Sequence, residues 1–257
     1  MNKKIVAAIP VRDGGWIIGK TLDVLSTFCH KIVVLNDNSI DNTKEVCMAY
    51  EKVDWHERAY HDQKKREEGL QRQELMDHVC KHNPEYVLFL DCDEIPTPSF
   101  IKFMENIDET INLWSPRFIN LYDDERHYRS DRFITNSGVS VNWDPFAGRG
   151  WRKWTVMKYD DKFRYKYNIE CERGPVEPLH SAPGNTPGPH RETEDFYVIH
   201  YGKLGEDYLS GEKNTMYAHQ DHYVGRGTFE DRDRHHKECA SEATKILKRC
   251  PEEWFWK

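Results

Sequence analysis

The chain has 257 residues, of which 38% are hydrophobic, 32% are charged and 12% are aromatic. Disordered chains are poor in aromatic residues, so this composition excludes global disorder and indicates one folded domain of ordinary to large size. The formal net charge is -7, from 37 basic and 44 acidic residues. Proteins that bind nucleic acid usually carry a basic excess, so the charge argues against nucleic acid as the main partner.

Membrane, secretory and zinc-binding signals are weak in this sequence. It has no run of about 18 apolar residues, so we expect no transmembrane segment. The first apolar stretch, residues 5–11, contains Pro10 and is followed by Arg12 and Asp13, which is not typical of a secretory signal. The seven cysteines include no C-x-x-C pair, which argues against a structural zinc site or a disulfide framework. We expect a cytoplasmic protein.

The first 110 residues alternate between predicted strands and helices. Continuous apolar runs at residues 5–9, 32–35 and 86–90 predict three short strands. Helical spacing or helix caps predict helices at residues 17–28, 41–50, 70–80 and 97–107. Continuous apolar strands are buried on both faces, which is typical of a parallel sheet covered by helices. The fold class is therefore α/β, with a mostly parallel sheet flanked by helices.

The sequence changes character after residue 111. Residues 112–122 and 154–167 are aromatic and strand-like, and residues 180–191 are rich in proline and glycine, which predicts a loop. Residues 206–219 and 231–250 are interpreted as polar helices. We interpret residues 1–257 as a single domain with two halves, 1–110 and 111–257.

Polar clusters follow each of the three predicted strands, at residues 10–15, 36–39 and 91–94. Ligands of open parallel sheets bind at the carboxyl ends of the strands, where these clusters meet. Asp91 and Asp93 together are costly to hold beside a buried strand unless a hard divalent cation binds their oxygens. The alternative is that they merely end the strand and cap the next element.

The order of these motifs resembles family 2 glycosyltransferases with the GT-A fold. An apolar strand that enters N-D-N-S-I-D-N-T (residues 36–43) is followed by one that enters D-C-D-E (residues 91–94). The latter form is similar to the L-D-A-D-E variant of saccharide-building glycosyltransferases. The resemblance covers about residues 3–107. It implies a Rossmann-like GT-A fold with a nucleotide-binding half and an acceptor-binding half that includes C-terminal helices.

The resemblance also implies roles for residues of the nucleotide-binding half. Asp37 would bind the nucleobase, although Asn36 departs from the more common aspartate. Asp91 would face the ribose and the metal. The other residues implied to bind the nucleotide sugar are Pro10, Val11, Arg12, Arg72 and Cys92.

The same resemblance implies a divalent metal, Mn²⁺ or Mg²⁺. Asp93 would bind it directly, with Asp91, and His200 would be a third ligand at the end of the apolar segment 195–200. Lys203 would pair with the diphosphate, and Glu94 would support the site.

The general base is open between three carboxylates. An inverting transfer needs a base that takes the proton of the acceptor hydroxyl. Glu177 and Glu172 lie near a G-P-V stretch that resembles one in related enzymes, and Asp144 follows Trp143.

The resemblance implies a metal-dependent, inverting glycosyltransferase. Its partners would be a UDP- or GDP-sugar donor and a saccharide, lipid-linked glycan or protein acceptor. One alternative is a sugar-nucleotide nucleotidyltransferase, although the segment Gly14-Gly15-Trp16 lacks the glycine-rich arginine motif of that class. The other is a non-catalytic saccharide-binding protein with the same fold.

Overall fold

The computed structural model describes residues 3–58, 68–134, 140–148, 150–161, 188–205, 230, 233, 234, 237 and 245–257. The chain forms two compact units, and each is described by itself. The first comprises Met1–Arg117, Arg152–Val198 and Glu253–Lys257, and the second comprises Phe118–Trp151 and Ile199–Glu252. None of the described helices is long and apolar enough to cross a membrane.

The described part of the chain contains α-helices, short 3-10 helices and strands, and the α-helices and strands are numbered in chain order. The α-helices are α1 (Ile18–Phe28), α2 (Thr43–Met48), α3 (Glu68–Val79) and α4 (Ser99–Glu105). Short 3-10 helices span Cys80–His82 and Glu252–Trp254. The strands are β1 (Ile5–Val11), β2 (Lys31–Asn36), β3 (Val53–Glu57), β4 (Tyr86–Phe89), β5 (Glu94–Pro96), β6 (Leu113–Asn120), β7 (His127–Arg129), β8 (Arg132–Ile134), β9 (Ser140–Asn142), β10 (Val156–Lys158), β11 (His190–His200) and β12 (Leu247–Arg249).

The main sheet has eight strands in the order β3-β2-β1-β4-β10-β6-β11-β5. The first four strands are parallel to one another, and β10 is antiparallel to both β4 and β6. In the register of the sheet, Val11 lies beside Asn36 and Ala8 beside Phe89. The carboxyl ends of β1, β2 and β4 therefore lie side by side, as the α/β prediction requires.

The core explains why the first strands are apolar without interruption. Val6 and Ala8 of β1 pack with Leu75 of α3 in one buried cluster. Ala7 and Ile9 point to the opposite face and are also fully buried. Because both faces of the sheet are covered here, residues 5–9 are all buried and all apolar.

The sequence predicts none of the strands β3, β5, β7, β8 and β9, and two predicted elements are wrong or incomplete. Strand β3 was not predicted, because it lies at the sheet edge and is only half-buried. The predicted helix 231–250 ends in strand β12, which pairs with β7 instead. The predicted loop 180–191 ends inside β11, which begins at His190. The predicted helix 206–219 and the end of the strand-like segment 154–167 lie outside the described residues.

The second unit has a charged residue in its interior. The Arg129 side chain is fully buried, and its Nε and Nη2 donate to the two oxygens of Asp131 at 2.6 and 2.9 Å. Its guanidinium lies 5.3 Å from the ring centre of Tyr122 and 5.2 Å from that of Trp143. The ion pair and the two rings compensate for the loss of water around the cation.

Candidate functional site

The loops after β1, β2 and β4 are joined by hydrogen bonds. The Asp13 N–H donates to Ser39 Oγ and the Gly14 N–H to Thr43 Oγ1, each at 2.9 Å. Thr21 Oγ1 of α1 donates to the Cys92 carbonyl at 2.6 Å. The structure thus brings together the three polar segments that the sequence placed at one sheet edge.

Gly14 allows the β1 loop to approach the acidic segment closely. A Cβ at this position would lie 2.6 Å from Val11 Cγ2 and 3.0 Å from Cys92 Sγ. The first distance is far below van der Waals contact and the second is tight, so a side chain at position 14 would force Val11 or the loop to move. Gly14 was not among the predicted site residues, although the Gly14-Gly15 pair is the signal that could have found it.

Asp37 is held at the end of β2. Its N–H donates to the Val11 carbonyl at 2.7 Å, and its Oδ1 lies 3.2 Å from Arg58 Nη1. The Arg58 side chain is almost completely buried, whereas that of Asp37 is 16% exposed. The buried arginine therefore fixes a carboxylate that keeps access to the outside.

Asn36 has a local structural role. Its Nδ2 donates to Glu57 Oε2 at 2.6 Å, and its Oδ1 accepts the Ser39 N–H at 3.1 Å. An amide supplies both a donor and an acceptor, which an aspartate cannot do. This pair of bonds gives a physical reason for the departure from the more common aspartate.

The residues at the end of β1 differ in exposure. Pro10 is half-buried, Val11 is buried and Arg12 is exposed. The Val11 side chain lies in the core, while its carbonyl holds Asp37. Arg12 Nε lies 3.7 Å from Asp13 Oδ2.

Two buried cations hold Asp91. Arg72 Nη2 of α3 lies 2.8 Å from Asp91 Oδ1, and Lys153 Nζ lies 3.0 Å from Asp91 Oδ2. Lys153 also contacts Glu94 Oε1. The Asp91 N–H donates to the other Glu94 oxygen at 2.9 Å. Arg72, which the resemblance implies to bind the nucleotide sugar, thus contacts a site carboxylate.

Asp91, Asp93 and Glu94 form one short acidic segment, in which Asp91 and Glu94 contact these cations. Burial raises the pKa of Glu94, and the charges of Asp91 and Asp93 raise it further, whereas Lys153 lowers it. Asp93 is itself buried, with 9% of its surface exposed. Asp91 and Asp93 offer carboxylate oxygens, which are the ligands that Mg²⁺ and Mn²⁺ prefer. The donor set of this unit therefore fits a hard divalent ion.

His200 lies in the second unit, at the end of β11. Its Nδ1 is 2.6 Å from Asn120 Oδ1, and its ring centre is 5.3 Å from that of Trp151. When Nδ1 donates to Asn120, Nε2 carries the lone pair of the neutral ring. Lys203 Nζ lies 5.8 Å from the centre of the Trp143 ring.

Asp144 belongs to a turn of the second unit. Its Oδ1 accepts the Phe146 N–H at 3.0 Å. Arg132 Nη2 and Lys248 Nζ lie 3.6 and 3.9 Å from its Oδ2. The other two candidate bases, Glu172 and Glu177, lie outside the described residues.

Comparison with known proteins identifies the family. The model of glycosyl transferase family 2 matches residues 17–171. No curated protein matches the chain. The fold is similar to that of S. aureus TarS residues 1–349, solved in complex with UDP-GlcNAc, at a TM-score of 0.50 and 15% identity over 89% of this chain and 72% of that one.

A second solved structure matches a smaller part of the chain. It is glucosyl-3-phosphoglycerate synthase from Mycobacterium tuberculosis in complex with Mn²⁺ and UDP-glucose. The match has a TM-score of 0.35 and 17% identity, over 46% of this chain and 44% of that one. The family match, by contrast, covers more than half of the chain, and the α/β sheet is that of GT-A enzymes. The chain belongs to glycosyl transferase family 2 and is a glycosyltransferase.

Proposed function

We propose that the protein is a metal-dependent enzyme that transfers a sugar from a nucleoside diphosphate sugar to a hydroxyl group with inversion. The observation that carries this proposal is the joining of the loops with Asp37 and Asp91 at the carboxyl edge of the parallel strands. Asp37 would accept hydrogen bonds from the nucleobase. Asp91 would face the ribose, and the exposed Arg12 would line the base and ribose.

The donor is a UDP- or GDP-sugar in this proposal. UDP-GlcNAc in the complex of TarS, which has a similar fold, favours UDP. Lys203 would pair with the diphosphate. The acceptor would be a saccharide, a lipid-linked glycan or a protein.

Mn²⁺ or Mg²⁺ would be held by Asp93, with Asp91 beside it and His200 as the predicted third ligand. The ion would supply positive charge to the departing nucleoside diphosphate. Arg72 and Lys153 hold Asp91 from the buried side, so that its carboxylate stays oriented. The general base would be Glu177, Glu172 or Asp144, which takes the proton of the acceptor hydroxyl.

A panel of nucleotide sugars tests this proposal. We expect one UDP- or GDP-sugar to raise the melting temperature in the presence of Mn²⁺ and to be hydrolysed slowly. Asp93→Asn should abolish both effects, whereas Asp77→Asn on the exposed side of α3 should change neither. Full turnover by Asp93→Asn, or undiminished turnover in EDTA, would contradict the metal-dependent mechanism.

A further inference from the structure

Lys153 is a buried lysine that no sequence motif identified. Lys153 precedes β10, in a segment held by two backbone hydrogen bonds. The Thr155 N–H donates to the Trp114 carbonyl at 2.9 Å, and the Phe89 N–H donates to the Thr155 carbonyl at 2.8 Å. Only 7% of the Lys153 side chain is exposed. A buried ammonium is costly unless anions compensate for its lost hydration. Its position therefore depends on its partners.

The partners of Lys153 are the two ends of the acidic segment. Nζ lies 3.0 Å from Asp91 Oδ2 and contacts Glu94 Oε1. The Asp91 N–H closes the loop by donating to Glu94 Oε2 at 2.9 Å. Although burial alone would lower the pKa of Lys153, Asp91 and Glu94 raise it above its usual value, so the lysine stays protonated. Lys153 thus clamps the residues on either side of Cys92 and Asp93.

We propose that Lys153 is a positioning residue that fixes the Asp91 carboxylate and the turn carrying Asp93, and so sets the affinity of the site for the metal and the nucleotide sugar. This inference rests on the proposed function of the site. Arg72 holds Asp91 Oδ1 and Lys153 holds Oδ2, so the carboxylate plane is fixed at both oxygens. Without Lys153, Asp91 can rotate about its side-chain bonds and Glu94 loses its cation.

The test compares Lys153→Met with a matched buried cation elsewhere. Calorimetry would measure the binding of Mn²⁺ alone, and then of the donor that binds the wild type. Because the variant loses charge-assisted hydrogen bonds to Asp91 and Glu94, Lys153→Met should weaken both affinities at least about tenfold. Arg129→Met removes a buried cation from the second unit and should lower stability without changing either affinity.

Testing Lys153→Met in a second variant distinguishes a positioning role of Lys153 from a general loss of folding. If Lys153 acts through Asp91, Lys153→Met should weaken binding much less in an Asp91→Asn variant than in the wild type. Unchanged Mn²⁺ and donor affinities in folded Lys153→Met, or equal effects in both backgrounds, would overturn the inference and leave the proposed function intact. A wild-type protein that binds no nucleotide sugar with Mn²⁺ would overturn both.

Discussion

Replacing Gly14 by alanine should damage both the stability and the donor site. The new Cβ would lie 2.6 Å from Val11 Cγ2, about 1 Å inside normal contact. Val11 is buried and β-branched, so it cannot rotate away. Overpacking of this kind costs about 1–3 kcal/mol, and we expect the upper part of that range. The second close approach, to Cys92 Sγ at 3.0 Å, requires the side chain between Asp91 and Asp93 to shift by a few tenths of an ångström.

Gly19→Ala is the matched control for this change. Its Cβ would meet Val46 Cγ1 at 3.4 Å and Tyr50 Oη at 3.7 Å, which are ordinary contacts. In the first turn of α1 this alanine should raise stability by about 0.4–1 kcal/mol, because glycine loses more backbone entropy on folding. Urea unfolding and donor calorimetry measure both variants. A Gly14→Ala protein with wild-type stability and donor affinity would refute the close-packing argument.

Two further predictions concern groups outside the nucleotide site. Arg129→Met should destabilise the protein by about 3–5 kcal/mol, because the buried Asp131 carboxylate loses the cation that pairs with it. Adding Asp131→Asn to this variant should recover part of the lost stability in urea unfolding. If the effects of the two substitutions are purely additive, the pairing is refuted. Burial lowers the pKa of His78, and the charges of His56 and Lys81 lower it further. The folded state therefore binds fewer protons, so stability should fall as the pH drops below about 6.5, the usual histidine pKa. His78→Gln should reduce this dependence in unfolding curves taken between pH 5 and 8. Equal slopes for the wild type and His78→Gln would contradict the assignment.

The sequence predicted the strands that are buried on both faces and failed at the edges. Residues 5–9, 32–35 and 86–90 all lie in or beside β1, β2 and β4, because complete burial leaves a continuous apolar run. Strand β3 reads V-D-W-H-E and is half-exposed, so its pattern resembles that of a loop. β12 is a strand because it pairs with β7, which is more than 100 residues away in the sequence. The local helical spacing of residues 231–250 does not show this pairing.

The sequence likewise predicted some residues of the candidate site and missed others. The sequence located Asp37, Asp91 and Asp93, because parallel strands bring their carboxyl ends to one edge. It named Arg72 but not the other buried partners, since Arg58 is 21 residues from Asp37 and Lys153 is 62 residues from Asp91. Such pairs depend on tertiary contacts that leave no local pattern.

Donor binding with and without metal tests the central claim most directly. Calorimetry would titrate the nucleotide sugar selected by the panel into the wild type and Asp93→Asn, each in Mn²⁺ and in EDTA. We predict tight binding for the wild type in Mn²⁺, and binding at least about tenfold weaker in the other three cases, as expected when a charged ligand loses its neutralising partner. Equal affinity in all four titrations would contradict the role of Asp93 and of the metal.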